Sequence, residues 1–261
     1  MRKLSAVLLF VLGAVIWSAL AGCGEFLHVE SLGIGDGGLE VPLTTVDGAV
    51  EAASADGSSG APDAAVPYVF IPTPTAPSFV DDFTRPDGVI SNGWAPRVDA
   101  FAIASGSVRT MLSGGPDQIV RRPEMFLDLE VSVIITYGSP YDEPALFVRL
   151  QPTEEPKKYI GYRAWFSATF VSIEARSSSQ SQLARADFSP SLVVGRRYSL
   201  HVRIRGTDPV TIDVGVFAEG GAHLASVQAT DSYPSRIVAP GRMGFGAREQ
   251  ETRFDDFRLI E

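Results

Sequence analysis

From residue 78 onward, apolar and polar residues alternate with a period of two. In Leu127-Asp128-Leu129-Glu130-Val131-Ser132-Val133 every odd position is apolar and every even one polar, the pattern of a strand with one face in a core and the other toward water. The alternation returns in Leu146-Phe147-Val148-Arg149-Leu150, in Tyr198-Ser199-Leu200-His201-Val202-Arg203-Ile204-Arg205 and in Thr211-Ile212-Asp213-Val214-Gly215-Val216. Gly114-Gly115-Pro116, Gly138-Ser139-Pro140, Gly206-Thr207-Asp208-Pro209 and Gly220-Gly221 separate the runs as turns. No stretch carries a helical stripe. Strands are expected to begin at Phe79, Phe101, Ser107, Gln118, Leu127, Ala145, Tyr159, Thr169, Gln182, Tyr198, Ile212, Leu224, Gly241 and Phe254. Short strands at this spacing describe an all-β, two-sheet antiparallel sandwich or a barrel, formed by residues 78–261.

Upstream the pattern disappears. From Gly24 to about Pro77 the chain is rich in Gly, Ala, Ser, Asp and Pro, as in Gly35-Asp36-Gly37-Gly38 and Ala55-Asp56-Gly57-Ser58-Ser59-Gly60, and no period persists. This composition predicts a disordered tether over residues 23–77, with a root-mean-square reach of about 40 Å. Pro72-Thr73-Pro74-Thr75 makes its last part stiffer and more extended.

The first 22 residues have a third character. Met1-Arg2-Lys3 is followed by an apolar run through Leu20, the basic and apolar regions of a secretory signal. The run is a little short for the roughly 20 residues of a membrane span and lacks a basic stop-transfer flank. It closes on Leu20-Ala21-Gly22-Cys23, and Cys23 is the only cysteine in the chain. This motif resembles the lipobox of bacterial lipoproteins. The resemblance implies cleavage before Cys23, lipidation of Cys23 and anchorage to a membrane; Gly24, where enterobacterial lipoproteins retained at the inner membrane carry aspartate, points to the bacterial outer membrane.

Loss of Arg2 and Lys3 with the signal leaves 20 basic residues against 31 acidic ones, a net charge of −11. Such a surface disfavours nucleic acid and anionic membrane as partners. A single lipidated cysteine excludes a disulfide and a cysteine zinc site, and His28, His201 and His223 have no ligand spacing.

Phe79-Val80-Asp81-Asp82-Phe83-Thr84-Arg85-Pro86-Asp87-Gly88 followed by Asn92-Gly93-Trp94, and the closing Gly241-Arg242-Met243-Gly244-Phe245 with Phe254-Asp255-Asp256-Phe257-Arg258-Leu259, resemble the first and last strands of concanavalin A-like lectin/glucanase domains. The resemblance spans residues 79–261 and implies a laminin G-like jelly roll with its first and last strands close together. It does not choose among lectins, glycosidases and adhesion modules. In the glucanase branch a Glu-x-Asp-x-Glu strand carries the nucleophile and the acid/base. Here Phe126-Leu127-Asp128-Leu129-Glu130 keeps the second and third carboxylates and has Phe126 at the nucleophile's place. A retaining glycosidase needs two carboxyl groups about 5 Å apart. The incomplete motif leans the reading away from an enzyme.

Sugar recognition asks for aromatic faces beside hydrogen-bonding groups. If Ile160, Tyr162 and Phe166 face the core, then Tyr159, Arg163 and Trp165 share the opposite face, which Arg149 of the preceding run can join; Glu130, His201 and Arg203 project from polar faces of their own strands. Tyr137, Tyr141, Asp142 and Glu143 offer a loop-end alternative, and Trp94 is expected in the core. The paired Asp-Asp-Phe motifs raise a structural calcium ion, with Asp81, Asp82, Asp255 and Asp256 as oxygen donors. Equally, these acids can solvate strand ends or pair with Arg85 and Arg258. The leading expectation is a membrane-anchored carbohydrate-binding module for a polysaccharide or glycoconjugate; a glycoside hydrolase or a protein-interaction module are the alternatives.

Overall fold

The computed structural model describes residues 68–96, 101–111, 118–153, 159–177, 179–248 and 251–261. The signal segment, Cys23 and residues 24–67 of the expected tether lie outside them. Among the described residues, sixteen strands form two antiparallel sheets. The first sheet runs β14 (His223–Asp231), β13 (Val210–Ala218), β12 (Arg197–Arg205), β7 (Leu129–Thr136), β16 (Arg253–Ile260), β5 (Ser107–Thr110), β4 (Phe101–Ala104) and β2 (Gly88–Val89), with β1 (Phe79–Asp81) also paired to β16. The second runs β11 (Gln180–Asp187), β10 (Phe170–Arg176), β9 (Ile160–Phe166), β8 (Ala145–Gln151), β15 (Arg242–Ala247), β6 (Gln118–Arg121) and β3 (Ala95–Pro96).

The alternation in sequence becomes the division between inner and outer faces. Leu129, Val131, Val133 and Ile135 of β7, Leu200, Val202 and Ile204 of β12, and Ile212, Val214 and Val216 of β13 point into one core with Tyr162, Ala164 and Phe166 of β9. Each large apolar side chain buried there contributes about 1.5–3 kcal/mol of transfer free energy. Trp94 is in this core as expected, edge-on to Phe245 and Phe257 with ring centroids 4.9 Å away in both cases. Its indole N–H donates to Asp81 Oδ2 at 2.8 Å.

Two features depart from the sequence reading. Residues 68–77, which composition assigns to the tether, lie across the outer face of the first sheet. Phe70 is buried against His201 and Phe217. Gly215 makes that seat possible, because a Cβ there would stand 2.8 Å from Phe70 Cβ. Farther along, the Thr73 amide donates to Glu130 Oε1 at 3.0 Å and Arg203 Nη2 donates to the Ile71 carbonyl at 2.8 Å. The strap then enters β1.

The second departure is Arg149. Strict alternation would set it beside Phe147 on the outer face of the second sheet, but the β8–β9 register shifts between Val148 and Gln151. Arg149 has φ of +51° at this bulge and is fully buried. Such a bulge re-aims a side chain and exchanges the faces of the residues beyond it. Its guanidinium donates to the carbonyls of Leu127 (2.8 Å), Ile237 (2.9 Å) and Gly206 (2.6 Å), with Asp128 at 3.3 Å. Arg149 therefore ties strand ends together inside the domain and leaves the outward cluster.

Candidate functional site: the outer face of the second sheet

Strand β9 presents Arg163 and Trp165 on the face opposite its core residues, as the period of two requires. Register supplies their neighbours. Arg163 stands between Phe147 of β8 and Glu174 of β10, while Trp165 stands between Ala145 and Ser172. Small residues on both sides of Trp165 leave room for Arg163 and Phe170 to pack against its ring. Arg163 Nη2 donates to Glu143 Oε2 at 3.0 Å, its Nη1 lies 3.6 Å from Glu174 Oε2, and its guanidinium carbon is 4.8 Å from the Trp165 ring centroid. Gln180 donates to the same Glu174 oxygen at 2.9 Å.

The arrangement repeats along the face. Arg176 covers the Tyr159 ring at 5.1 Å and Arg185 covers the Phe170 ring at 3.7 Å. Phe170 meets Trp165 edge-on at 5.0 Å, and Tyr159 meets Phe147 at 5.1 Å. Guanidinium over an aromatic face is favourable through the ring quadrupole. Tyr159, Arg163 and Trp165 thus fall on one face, as the alternation implies, yet all three are buried. The indole N–H of Trp165 is buried and finds no acceptor among the described residues. Glu174, Arg176 and Arg185 escaped the sequence reading, although the Phe170-Val171-Ser172-Ile173-Glu174 alternation carried the signal, and Glu143, raised there for the loop-end alternative, joins this face instead.

Glu130 belongs elsewhere, on the outer face of the first sheet. It accepts from Arg203 Nε at 2.8 Å and from both the amide and the hydroxyl of Thr73. Asp128 accepts from the Gly206 amide at 3.0 Å as well as from Arg149. A cleft of about 380 Å³ opens beside them, bounded on one side by the strap. Both carboxylates are thus occupied by structural donors, and Phe126, at the glucanase nucleophile's place, pairs its backbone with Gly241. His201, on the same face, is pushed down to about 4 by burial, and the Arg258 and Arg203 charges act in the same direction against Glu130.

The loop-end alternative disperses. Tyr137 is buried in the core, where burial and the Asp142 charge push its phenol up to about 12. Tyr141 is 81% exposed. Asp142 is buried and accepts from the Thr252 hydroxyl and the Arg248 amide.

The residues raised for calcium are engaged by protein donors in this structure. Asp81 accepts from the Phe83 amide, Arg85, Asn92 and the Trp94 indole. Burial alone would raise its pKa, but Arg85 and the other donors outweigh it and hold the carboxyl below the ordinary range. Asp82 caps Thr84, Asp255 pairs with Arg197 at 3.0 Å, and Asp256 pairs with Arg258 at 2.8 Å. Among the described residues, no group of three or more His, Cys, Asp or Glu is arranged to hold a metal ion. At Asp81 and Asp256 the arginine pairing prevails.

Comparison with solved structures places this topology. A Bacillus subtilis protein of unknown function with a galectin-like fold superposes with a TM-score of 0.51 at 11% identity, over 71% of this chain and 96% of that one. Lectin II from Ulex europaeus gives 0.50 at 11% identity, over 71% and 99%. The fold is a lectin-like jelly roll. Carbohydrate binding module CBM66 from Bacillus subtilis is also similar, with a TM-score of 0.48 and 18% identity over 65% of this chain and 96% of that one. At such identities the likeness is one of fold. No protein-family model matches the chain, and no curated protein matches it in sequence.

Proposed function

We propose that the chain is an exported carbohydrate-binding module, lipidated at Cys23, anchored to the bacterial outer membrane and directed at a polysaccharide or glycoconjugate. The observation that carries the binding reading is the group on the second sheet in which Arg163, stacked on Trp165, is held between Glu143 and Glu174. Sugars are bound by aromatic faces next to carboxylates and guanidinium groups of fixed direction, and Trp165, Arg163 and Glu174 bring these groups together on one face. The fold shared with lectin II adds support. The anchor rests on the signal segment and on Leu20-Ala21-Gly22-Cys23.

A glycan array probed with the full chain, in calcium and after chelation, tests the binding. Glu174→Gln and Arg163→Lys are expected to weaken any captured glycan about tenfold or more with the circular dichroism unchanged. Silence across a broad array, from a folded protein, would refute the module. For the anchor, Cys23→Ser is expected to abolish incorporation of an alkyne-labelled fatty acid and release the protein from the membrane fraction; continued labelling would refute the assignment.

A further inference from the structure

A row of cations crosses the outer face of the first sheet at the far end of β7 from Glu130. Arg109 of β5 stands in direct register with Arg253 of β16, and Arg253 in turn with Thr136 of β7. Their neighbours Val108 and Phe254 are buried in the core, so both arginines point outward, and both are exposed. Thr136 is paired with Arg197 of β12, which extends the row to a fourth strand. Arg197 has a partner in Asp255 at 3.0 Å. Among the described residues, neither Arg109 nor Arg253 has a carboxylate within ion-pair distance.

Like charges directly opposite one another on neighbouring strands destabilise a sheet, and the chain as a whole carries a net charge of −9. Two arginines paired across strands about 5 Å apart, neither of them in an ion pair among the described residues, therefore repel one another, and a bound anion would relieve that repulsion. They line a cleft of about 470 Å³ together with Thr136, Gly138, Gly195 and Glu251, and the exposed side chains of Met111 and Val194 form part of its wall. Planar guanidinium forks match carboxylates in a two-point geometry, while the apolar wall suits the C–H face of a sugar ring.

We propose that Arg109 and Arg253 form a carboxylate-binding site for uronate residues of an acidic glycan, separate from the face around Trp165. The inference rests on the carbohydrate reading and deepens it by naming a class of sugar. Its test is titration calorimetry of the full chain with tetragalacturonate and with a neutral galactose tetramer, for the native protein, Arg109→Ala/Arg253→Ala and Glu174→Gln. The uronate is expected to bind in preference to the neutral sugar, to weaken about tenfold to a hundredfold in the double arginine variant, and to lose affinity with added salt. Both arginines are exposed, so the melting temperature of that variant should be unchanged or slightly raised. Uronate binding that survives the double substitution overturns the proposal, and if Glu174→Gln abolishes it the Trp165 face stands without this site. Failure of the uronate to bind, with a neutral glycan captured on an array, overturns the proposal alone; failure of both overturns the carbohydrate reading with it.

Discussion

Phe70 is 1% exposed, yet it belongs to a segment with no strand structure of its own, so its replacement should unfasten the strap and leave the sandwich standing. Truncation of a buried Phe to Ala costs about 3–5 kcal/mol in a core. Here the Arg203 guanidinium, 4.9 Å from the Phe70 ring centroid, loses its partner too. The first sheet keeps its own ladder, however, with β7, β12 and β13 in continuous register, so the cost cannot exceed the strap's docking free energy. Taking about 3 kcal/mol, the local opening equilibrium rises about two orders of magnitude. Amide hydrogen exchange reads this directly. In Phe70→Ala the amides of Thr73, bonded to Glu130, and of residue 70, bonded to Ser226 Oγ at 2.9 Å, should exchange about a hundredfold faster, while Val214 in the β12–β13 ladder keeps its rate. Gly215→Ala should give the same signature, because the added methyl would also stand 2.9 Å from Phe217 Cε2. Equal loss of protection at Thr73 and Val214, or none at Thr73, would refute a separately docked strap.

Further outcomes follow from the buried charges. Arg149→Met leaves three carbonyls without their donor and should cost about 3–5 kcal/mol, read as a fall in melting temperature on the order of 10 °C. His201 is held at about 4 in the fold against 6.5 when unfolded, so the unfolded state takes up the proton first. Stability should therefore fall as pH drops from about 6.5 toward 4, by no more than about 3 kcal/mol, and His201→Gln should flatten that limb of the urea-denaturation profile. Asp81 works at lower pH: its carboxyl lies below 3.8 in the fold, so its contribution is present above that value and is lost as pH falls beneath it. Asp81→Asn should lower the melting temperature at neutral pH and make the acid limb below about pH 4 shallower.

Strand positions were legible because a half-buried strand writes its two faces into the sequence. The expected starts at Phe79, Phe101, Ser107, Gln118 and Ala145 coincide with β1, β4, β5, β6 and β8. The two-residue strands β2 and β3 are too short to show a period. Arg149 was misplaced because its run alternates without interruption, and the bulge comes from a tertiary contact. Gly241 packs so closely on the Arg149 backbone that a Cβ there would collide with it. The strap was hidden by its surroundings. A single buried ring in a Pro-Thr segment creates no pattern, and only the apolar triplet Val69-Phe70-Ile71 marked it. Of the site, the alternation gave the shared face of Tyr159, Arg163 and Trp165, whereas their partners Glu143 and Glu174 come from a loop and another strand and depend on register.

The strap also relates the two outer faces to one another. It crosses from Ser226 on β14 past Gly215 on β13 and Arg203 on β12 to Glu130 on β7, and then becomes β1 on β16. The first described residues therefore lie on the first sheet, while Arg163, Trp165 and Glu174 belong to the outer face of the second. The strap and the ligand face proposed above then use opposite sides of one sandwich, and neither has to displace the other. The cation row of Arg109 and Arg253 shares the first sheet with the strap but lies six residues along β7 from Glu130, roughly 20 Å in an extended strand. An acidic chain long enough to pass around the sheet edge could meet both arginines and the Trp165 face, and its avidity would then exceed that of either contact by a factor set by the span.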